Sequence, residues 1–412
     1  SMDMLKNRDA AMLTVPGQCY LQIGTNEYYE LFQAGYCGGV YHEGGDAVRR
    51  VALLSNTGNR TVCDVKYEDK EEMTLMATLV SYVNLVAAQH NYKRADQLWM
   101  EELPEMISVD ELRQRDTSIS GAADSCEQLK PNVIVGLCDD PAHQRQRVLY
   151  YHPVSQGHMA VGGGPGTGKT TLLQTLLWQL CERYTPDQVQ VLVAAMGQTS
   201  NMCFQDMPGC LCVLTEKENK DVFFYHLKKL MAERKEKLSG ISCEQHNRSG
   251  NDQIPYLFLV IDGYGTLRRE LNEEQEELIL KLAAEGLTLG VYLILSVAGI
   301  NEMGGRLFDK IKTTVSLEMS DRFQYGDILR QYHISVLPKE NCKGRGLCKM
   351  EGSVLEFQVP LALEETEEYK RICRISEAGA QWKALYKRKG VQLPDKFPVL
   401  PKKPDFEMLA DS

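Results

Sequence analysis

Gly163-Gly164-Pro165-Gly166-Thr167-Gly168-Lys169-Thr170 is a complete G-x-x-x-x-G-K-[ST] loop. The strand-like His158-Met159-Ala160-Val161 leads into it, and a helical run follows in which Leu172, Leu173, Leu176, Leu177 and Leu180 share one face. Glycines let successive backbone N–H groups converge on phosphate oxygens, an approach that a Cβ would obstruct. Lys169 adds a point charge at the β/γ-phosphates, and the Thr170 hydroxyl is placed to ligate Mg²⁺. The helix that begins there, with Thr171 in its first turn, aims its positive dipole end at the same phosphates. The expected ligands are ATP and Mg²⁺, and the expected nucleotide-binding residues are Gly163, Gly164, Pro165, Gly166, Thr167, Gly168, Lys169, Thr170 and Thr171.

Working outward, β-rich runs at 188–195, 256–261 and 290–296 alternate with helical stretches. That pattern calls for an α/β fold with a mainly parallel sheet and helices on both faces. Phe223, Leu227, Leu230 and Met231 recur at helical spacing in a lysine-rich segment, and Leu278, Ile279 and Leu282 do so after Glu273-Glu274. Both segments are expected as amphipathic cover helices. The run Tyr256-Leu257-Phe258-Leu259-Val260-Ile261-Asp262 reads as a buried strand whose terminal aspartate emerges at the carboxyl edge beside the phosphate loop. Thr170 and Asp262 are thus the expected Mg²⁺ residues, Asp262 acting through water, and Lys169 and Asp262 the expected catalytic pair.

Bulk composition narrows the function classes. A chain of 412 residues suggests two or three folding units. Lys plus Arg is 46 against 56 for Asp plus Glu, a net charge of −10, so no nucleic acid is expected as partner. The 13 cysteines are odd in number and lack paired C-x-x-C spacing, which reads as reduced thiols of a cytosolic compartment, and the eight histidines do not complete a zinc site. The most apolar long segment, 75–88, is interrupted by Thr78, Ser81 and Asn84 and is too short to span a bilayer, so membrane attachment is expected only through regions outside this chain.

Two stretches echo one another. Gly17-Gln18-Cys19-Tyr20-Leu21, then Phe32-Gln33, resembles Gly344-Arg345-Gly346-Leu347, then Phe357-Gln358, and Asp3-Met4-Leu5 upstream matches Asp327-Ile328-Leu329. Residues 1–45 are therefore expected to be the C-terminal tail of a preceding copy of the same module. Residues 46–130 are expected as a linker with a helix at 71–89, 131–385 as the nucleotide-binding domain, and 386–412 as an extended proline-rich tail.

With these residues in view, the chain resembles the EssC/EccC ATPases of type VII secretion systems, whose modules are of the FtsK/SpoIIIE type. The resemblance rests on Leu98-Trp99 followed by Leu103-Pro104, on Gly136-Leu137-Cys138-Asp139-Asp140-Pro141, and on Gly157-His158 leading into the phosphate loop. Tyr184-Thr185-Pro186, Ser320-Asp321 and Gly344-Arg345-Gly346 match as well. It implies a RecA-like P-loop αβα sandwich, preceded here by a small β-rich segment and linker, on the cytosolic face of a bacterial membrane. It also implies the C-terminal ATPase module of such a protein, with WXG100-type secretion substrates and the preceding modules of the same polypeptide as partners. In that family the transmembrane helices precede the ATPase modules.

Departures from the family pattern bear on turnover. FtsK-like motors generally carry a second acidic residue beside the strand-terminal Asp to polarise the attacking water, whereas Asp262 is followed by Gly263-Tyr264-Gly265 and no carboxylate comes before Glu270. Glu302 and Glu318 are the distant substitutes, and Arg306 and Arg345 the candidates for an arginine offered to a neighbouring subunit. The expected activity is ATP binding with weak or no intrinsic hydrolysis in a secretion motor. The competing readings are a DNA translocase of the same fold and a non-hydrolysing structural platform.

Overall fold

Gln18–Ile23 and Tyr28–Gln33 form β1 and β2, an antiparallel pair running from Gln18 opposite Gln33 to Ile23 opposite Tyr28, with the Tyr20 and Tyr29 rings stacked at 5.1 Å. The computed structural model describes residues 8–23, 28–36, 38–39, 41, 50–64, 74–92, 100–116, 130–249 and 252–398. Asp3-Met4-Leu5, the upstream part of the echo, lies outside them. The chain divides into two compact units, Ser1–Gln97 and Leu98–Ser412. In the first unit, β3 (Arg50–Leu54) and β4 (Arg60–Asp64) form a second antiparallel hairpin. The helix Leu75–Gln89 starts where the Thr74 side chain caps the Ala77 N–H. No described helix is long and apolar enough to cross a membrane.

The second unit is built on one ten-stranded sheet. Its strands in chain order are β5 (Val133–Asp140), β6 (Arg145–Tyr151), β7 (Met159–Gly162), β8 (Val189–Ala194), β9 (Cys210–Leu214), β10 (Tyr256–Ile261), β11 (Val291–Val297), β12 (Thr313–Leu317), β13 (Arg345–Met350) and β14 (Ser353–Gln358). Spatially they run β6-β5-β14-β13-β12-β7-β11-β10-β8-β9. The six from β12 to β9 are parallel, and β13, β14, β5 and β6 extend the sheet antiparallel. The parallel strands are the continuous apolar runs of the sequence, and every residue of β10 and β11 is buried, as a strand covered on both faces requires. The mainly parallel α/β phosphate-loop fold expected from the sequence is the fold observed.

Helices cover this sheet with the faces that their periodicity marked. In Lys169–Arg183 the five leucines are fully buried; in Lys220–Leu238 the inward residues include Phe223, Leu227 and Met231; in Glu273–Glu285, Ile279 and Leu282. Burying each such side chain contributes about 1.5–3 kcal/mol. Glu273–Glu285 opens with a reciprocal capping box between Asn272 and Gln275. β7 lies between β11 and β12, so the phosphate loop leaves the sheet at its centre, at the carboxyl ends of three parallel strands.

Candidate functional site

The loop after β7 is tied to both neighbouring strands. Gly163 N–H donates to Val297 O at 3.1 Å and Gly164 N–H to Glu318 O at 2.8 Å, while Thr167 Oγ1 donates to Gly164 O. Gly166 and Gly168 have φ of +77° and +107°, in the left-handed region that favours glycine. At Gly168 a Cβ would also lie 3.1 Å from Gly344 N, whose N–H donates to Thr167 O at 2.9 Å. The start of the β13–β14 hairpin thus braces the loop from outside the sequence motif.

The predicted site residues therefore divide. Pro165, Gly166, Gly168, Lys169, Thr170 and Thr171 line a cleft of about 940 Å³, whereas Gly163 and Gly164 spend their N–H groups on β11 and β12. The first turn of Lys169–Arg183 presents amides that have no partner within the helix, as every helix N-terminus does. Lys169 Nζ folds back onto its own loop, donating to Gly163 O and Gly164 O at 2.6 Å each. Burial lowers the pKa of this ammonium, and Asp262 and Glu302 oppose the shift.

Asp262 sits at the end of β10, 3% exposed, with both carboxylate oxygens engaged. Thr170 Oγ1 donates to Oδ2 at 2.8 Å, Asn201 Nδ2 to Oδ2 at 3.0 Å, and Ser296 Oγ to Oδ1 at 2.8 Å. Ser296 Oγ in turn accepts the Gly263 N–H at 2.8 Å. The structure thus brings Lys169, Thr170 and Asp262 into one cleft, and it adds Asn201 and Ser296, which sequence reasoning missed. Ser296 is the penultimate residue of the apolar strand β11 next to β10, a signal that was present; Asn201 sits in a 3₁₀ turn with no motif around it.

These residues fit a Mg²⁺ ion. The cation takes oxygen ligands and keeps several waters, and the hydroxyl of Thr170 and the carboxylate of Asp262 meet at the mouth of the phosphate loop. Asn201 Oδ1, buried beside them, has no hydrogen-bond partner, as a group that receives a water would.

None of the carboxylates Glu270, Glu302 and Glu318 is among the residues that line the cleft. Glu270 pairs with Lys217, Glu302 Oε2 accepts the Ala298 N–H at 2.7 Å, and Glu318 Oε1 accepts the Asn341 N–H at 3.4 Å. Gln198 faces the cleft near Gly263, but an amide can only orient a water, not take its proton. Arg345 is corrected as a candidate for reaching a neighbouring subunit. It is 2% exposed and donates to Gln358 Oε1 at 2.8 Å and to Leu103 O at 2.8 Å, with Glu356 alongside at 3.4 Å. Arg306, on the short helix Gly305–Phe308, is exposed.

The chain is similar to known proteins in sequence and in fold. Residues 127–324 match the family model described as "FtsK/SpoIIIE family". The chain is 29% identical over 422 aligned positions to the type VII secretion system protein EssC of Staphylococcus aureus strain MRSA252, covering 98% of this chain and 28% of that protein. It is 23% identical to the ESX secretion system protein EccC of Geobacillus thermodenitrificans, covering 97% of this chain and 26% of that one. The chain thus spans little more than a quarter of the length of these relatives. Among solved structures, the cytoplasmic domain of the Thermomonospora curvata type VII secretion ATPase EccC superposes with a TM-score of 0.67 at 22% identity, over 98% of this chain and 45% of that chain. EssC ATPases 2 and 3 of Geobacillus thermodenitrificans superpose at 0.62 with 18% identity, over 76% and 57%. Residues 127–324 carry an FtsK/SpoIIIE domain, and the chain is homologous to the EssC/EccC type VII secretion ATPases.

Proposed function

We propose that this homologue of EssC and EccC is a Mg-ATP-binding module of a type VII protein secretion motor, one that binds nucleotide well and hydrolyses it slowly. The observation that carries the reading is the meeting of Lys169, Thr170 and Asp262 at one cleft whose lining includes none of Glu270, Glu302 and Glu318. With nucleotide bound, Lys169 would turn from the loop carbonyls to the phosphate oxygens, the first-turn amides would face the remaining charge, and Thr170 and Asp262 would hold the ion. The ion, when bound, neutralises developing phosphate charge. Asn201 and Ser296 fix the Asp262 carboxylate so that it need not reorganise. Missing general-base assistance lowers the rate by about two to four decades.

The hairpin of the first unit supports a second part of the reading, that residues 18–33 are the closing hairpin of a preceding copy of the module. Gly17 (φ +84°) and Gly344 (φ +78°) hold the same position. Gln33 Nε2 donates to Pro16 O at 3.1 Å and Ala34 O at 3.4 Å; Gln358 Nε2 donates to Lys343 O at 3.0 Å and Val359 O at 3.4 Å. Ala34 N–H bonds Gly17 O as Val359 N–H bonds Gly344 O. Leu31 and Phe32, on the repeated hairpin, are 51% and 45% exposed, whereas Phe357 is fully buried. Preceding modules of one polypeptide and helical-hairpin secretion substrates of the WXG100 type are the partners this reading names. One EccC of Thermomonospora curvata was solved in complex with a signal sequence peptide, which makes a substrate's C-terminal signal the segment to try first.

Steady-state ATP hydrolysis by this chain, with and without a purified WXG100-type substrate or its C-terminal peptide, tests the functional reading. Slow basal turnover with a substrate-dependent change in rate or in nucleotide affinity is expected. Rapid basal hydrolysis indifferent to substrate, or stimulation by duplex DNA instead, would contradict it.

A further inference from the structure

The phosphate end of the cleft accounts for Lys169, Thr170 and Asp262; the rest of its wall is made by other elements. Met106, Val359, Leu361, Thr366, Glu368 and Arg371 line it. Val359 and Leu361 stand there because the segment after β14 is anchored: Thr175 Oγ1, on the helix that follows the phosphate loop, donates to Pro360 O at 2.8 Å, and Leu361 N–H donates to Ile107 O at 2.8 Å. This wall therefore begins within two helical turns of Lys169.

Arg371 is the unusual member. It lies in the first turn of Glu368–Arg388 and is only 4% exposed, yet its Nε has no hydrogen-bond partner, although Nη1 donates to Glu365 O at 3.0 Å. An unpaired buried N–H is destabilising, a penalty that a ligand acceptor would remove. Burial lowers the pKa of the guanidinium, and the attraction of Glu368 and Glu365, which its charge already faces, opposes the shift. A second, phosphate-sized negative charge is not what this spot selects. A flat ring with acceptor nitrogens on its edge suits it better, held between apolar surfaces.

We propose that Arg371, with Met106 and Leu361, recognises the purine base of the bound nucleotide, the Arg371 Nε–H donating to a ring-edge acceptor while the two apolar side chains flank the ring. This rests on the nucleotide reading above and adds the nucleoside end of the site, which the phosphate-loop motif does not specify. The same wall joins the base to three distant segments, the 106–107 strand-like stretch, the 359–361 segment and the C-terminal helix.

Calorimetric titration of Mg-ATP, Mg-ADP and inorganic Mg-tripolyphosphate into the wild type, Arg371→Lys and Met106→Ala tests it. Arg371→Lys keeps the charge and removes the Nε–H donor, and Met106 is 60% exposed, so its truncation leaves the core intact. Thermal midpoints without ligand check the fold of each. We expect Arg371→Lys to weaken ATP and ADP about ten- to a hundredfold, Met106→Ala to weaken both in the same direction, and tripolyphosphate binding to stay unchanged. Equal weakening of tripolyphosphate would make Arg371 a phosphate ligand, and unchanged nucleotide binding would make it structural; either overturns the proposal while leaving the nucleotide reading standing. A wild type that binds neither nucleotide nor tripolyphosphate overturns both.

Discussion

The Thr170 hydroxyl donates to Asp262 Oδ2 at 2.8 Å across 92 residues of chain, joining the start of the helix after the phosphate loop to the end of β10. That contact brings together the two oxygens that would hold a Mg²⁺ ion. In the wild type, Mg²⁺ is expected to tighten ATP binding by about tenfold or more, equivalent to ~1.4 kcal/mol or above. Asp262→Ala is expected to remove most of that dependence. Titrations with Mg²⁺ and with a chelator, on both proteins, read it directly.

Ser296 holds two groups that have no other place to go, Asp262 Oδ1 and the Gly263 N–H. Ser296→Ala leaves both without it in a buried setting, and an expected loss of about 1–3 kcal/mol in unfolding free energy follows. Urea denaturation measures it. Ser296→Thr, which keeps the hydroxyl, is expected to recover part of the loss, limited by the room for its methyl in a fully buried strand.

How much of this was legible beforehand depends on how local each signal is. The phosphate loop, β10 with its terminal Asp262, and the cover helices are contiguous patterns, and period and motif state them outright. The antiparallel extension of the sheet, β13, β14, β5 and β6, is not local. β14 meets β5 through Phe357 opposite Cys138, more than two hundred residues apart, and no turn signal announces such a pairing. Asn201 and Arg371 were invisible for the same reason: nothing in their neighbours sets them apart, and only the packing of a 3₁₀ turn and the C-terminal helix around the cleft gives them a role. Arg345 shows the reverse error, since a Gly-Arg-Gly stretch reads as exposed while the closing hairpin buries it.

His158, fully buried at the foot of β7, accepts the Leu293 N–H on Nδ1 at 2.9 Å, so its proton is assigned to Nε2, which donates to Ala283 O at 3.1 Å. Burial lowers its pKa to about 4, from an ordinary 6.5. Because the folded pKa lies below the unfolded one, the unfolded chain binds the extra proton first. Stability from this group is complete above pH 6.5 and is lost as pH falls toward 4, by about 3 kcal/mol in all. Unfolding free energies across that window should fall more steeply for the wild type than for His158→Gln, which cannot take up a proton.

The repeated hairpin makes a prediction outside the nucleotide site. If β1 and β2 close a preceding module, their amides gain protection from hydrogen exchange when the chain is extended at its N-terminus by that module. In this chain Ile23, Leu31 and Phe32 are largely exposed. Equal exchange in β1 and β2 in the two lengths of chain would show that the hairpin has no such partner.

The phosphate loop is the centre of the account, and Lys169 is its one unambiguous charge. Calorimetric titration of Mg-ATP into the wild type and into Lys169→Ala tests whether that loop still receives nucleotide. Micromolar binding by the wild type that falls at least about tenfold in the variant, ~1.4 kcal/mol or more, is the result predicted here. Absence of binding by the wild type, or affinity indifferent to Lys169, would contradict the account.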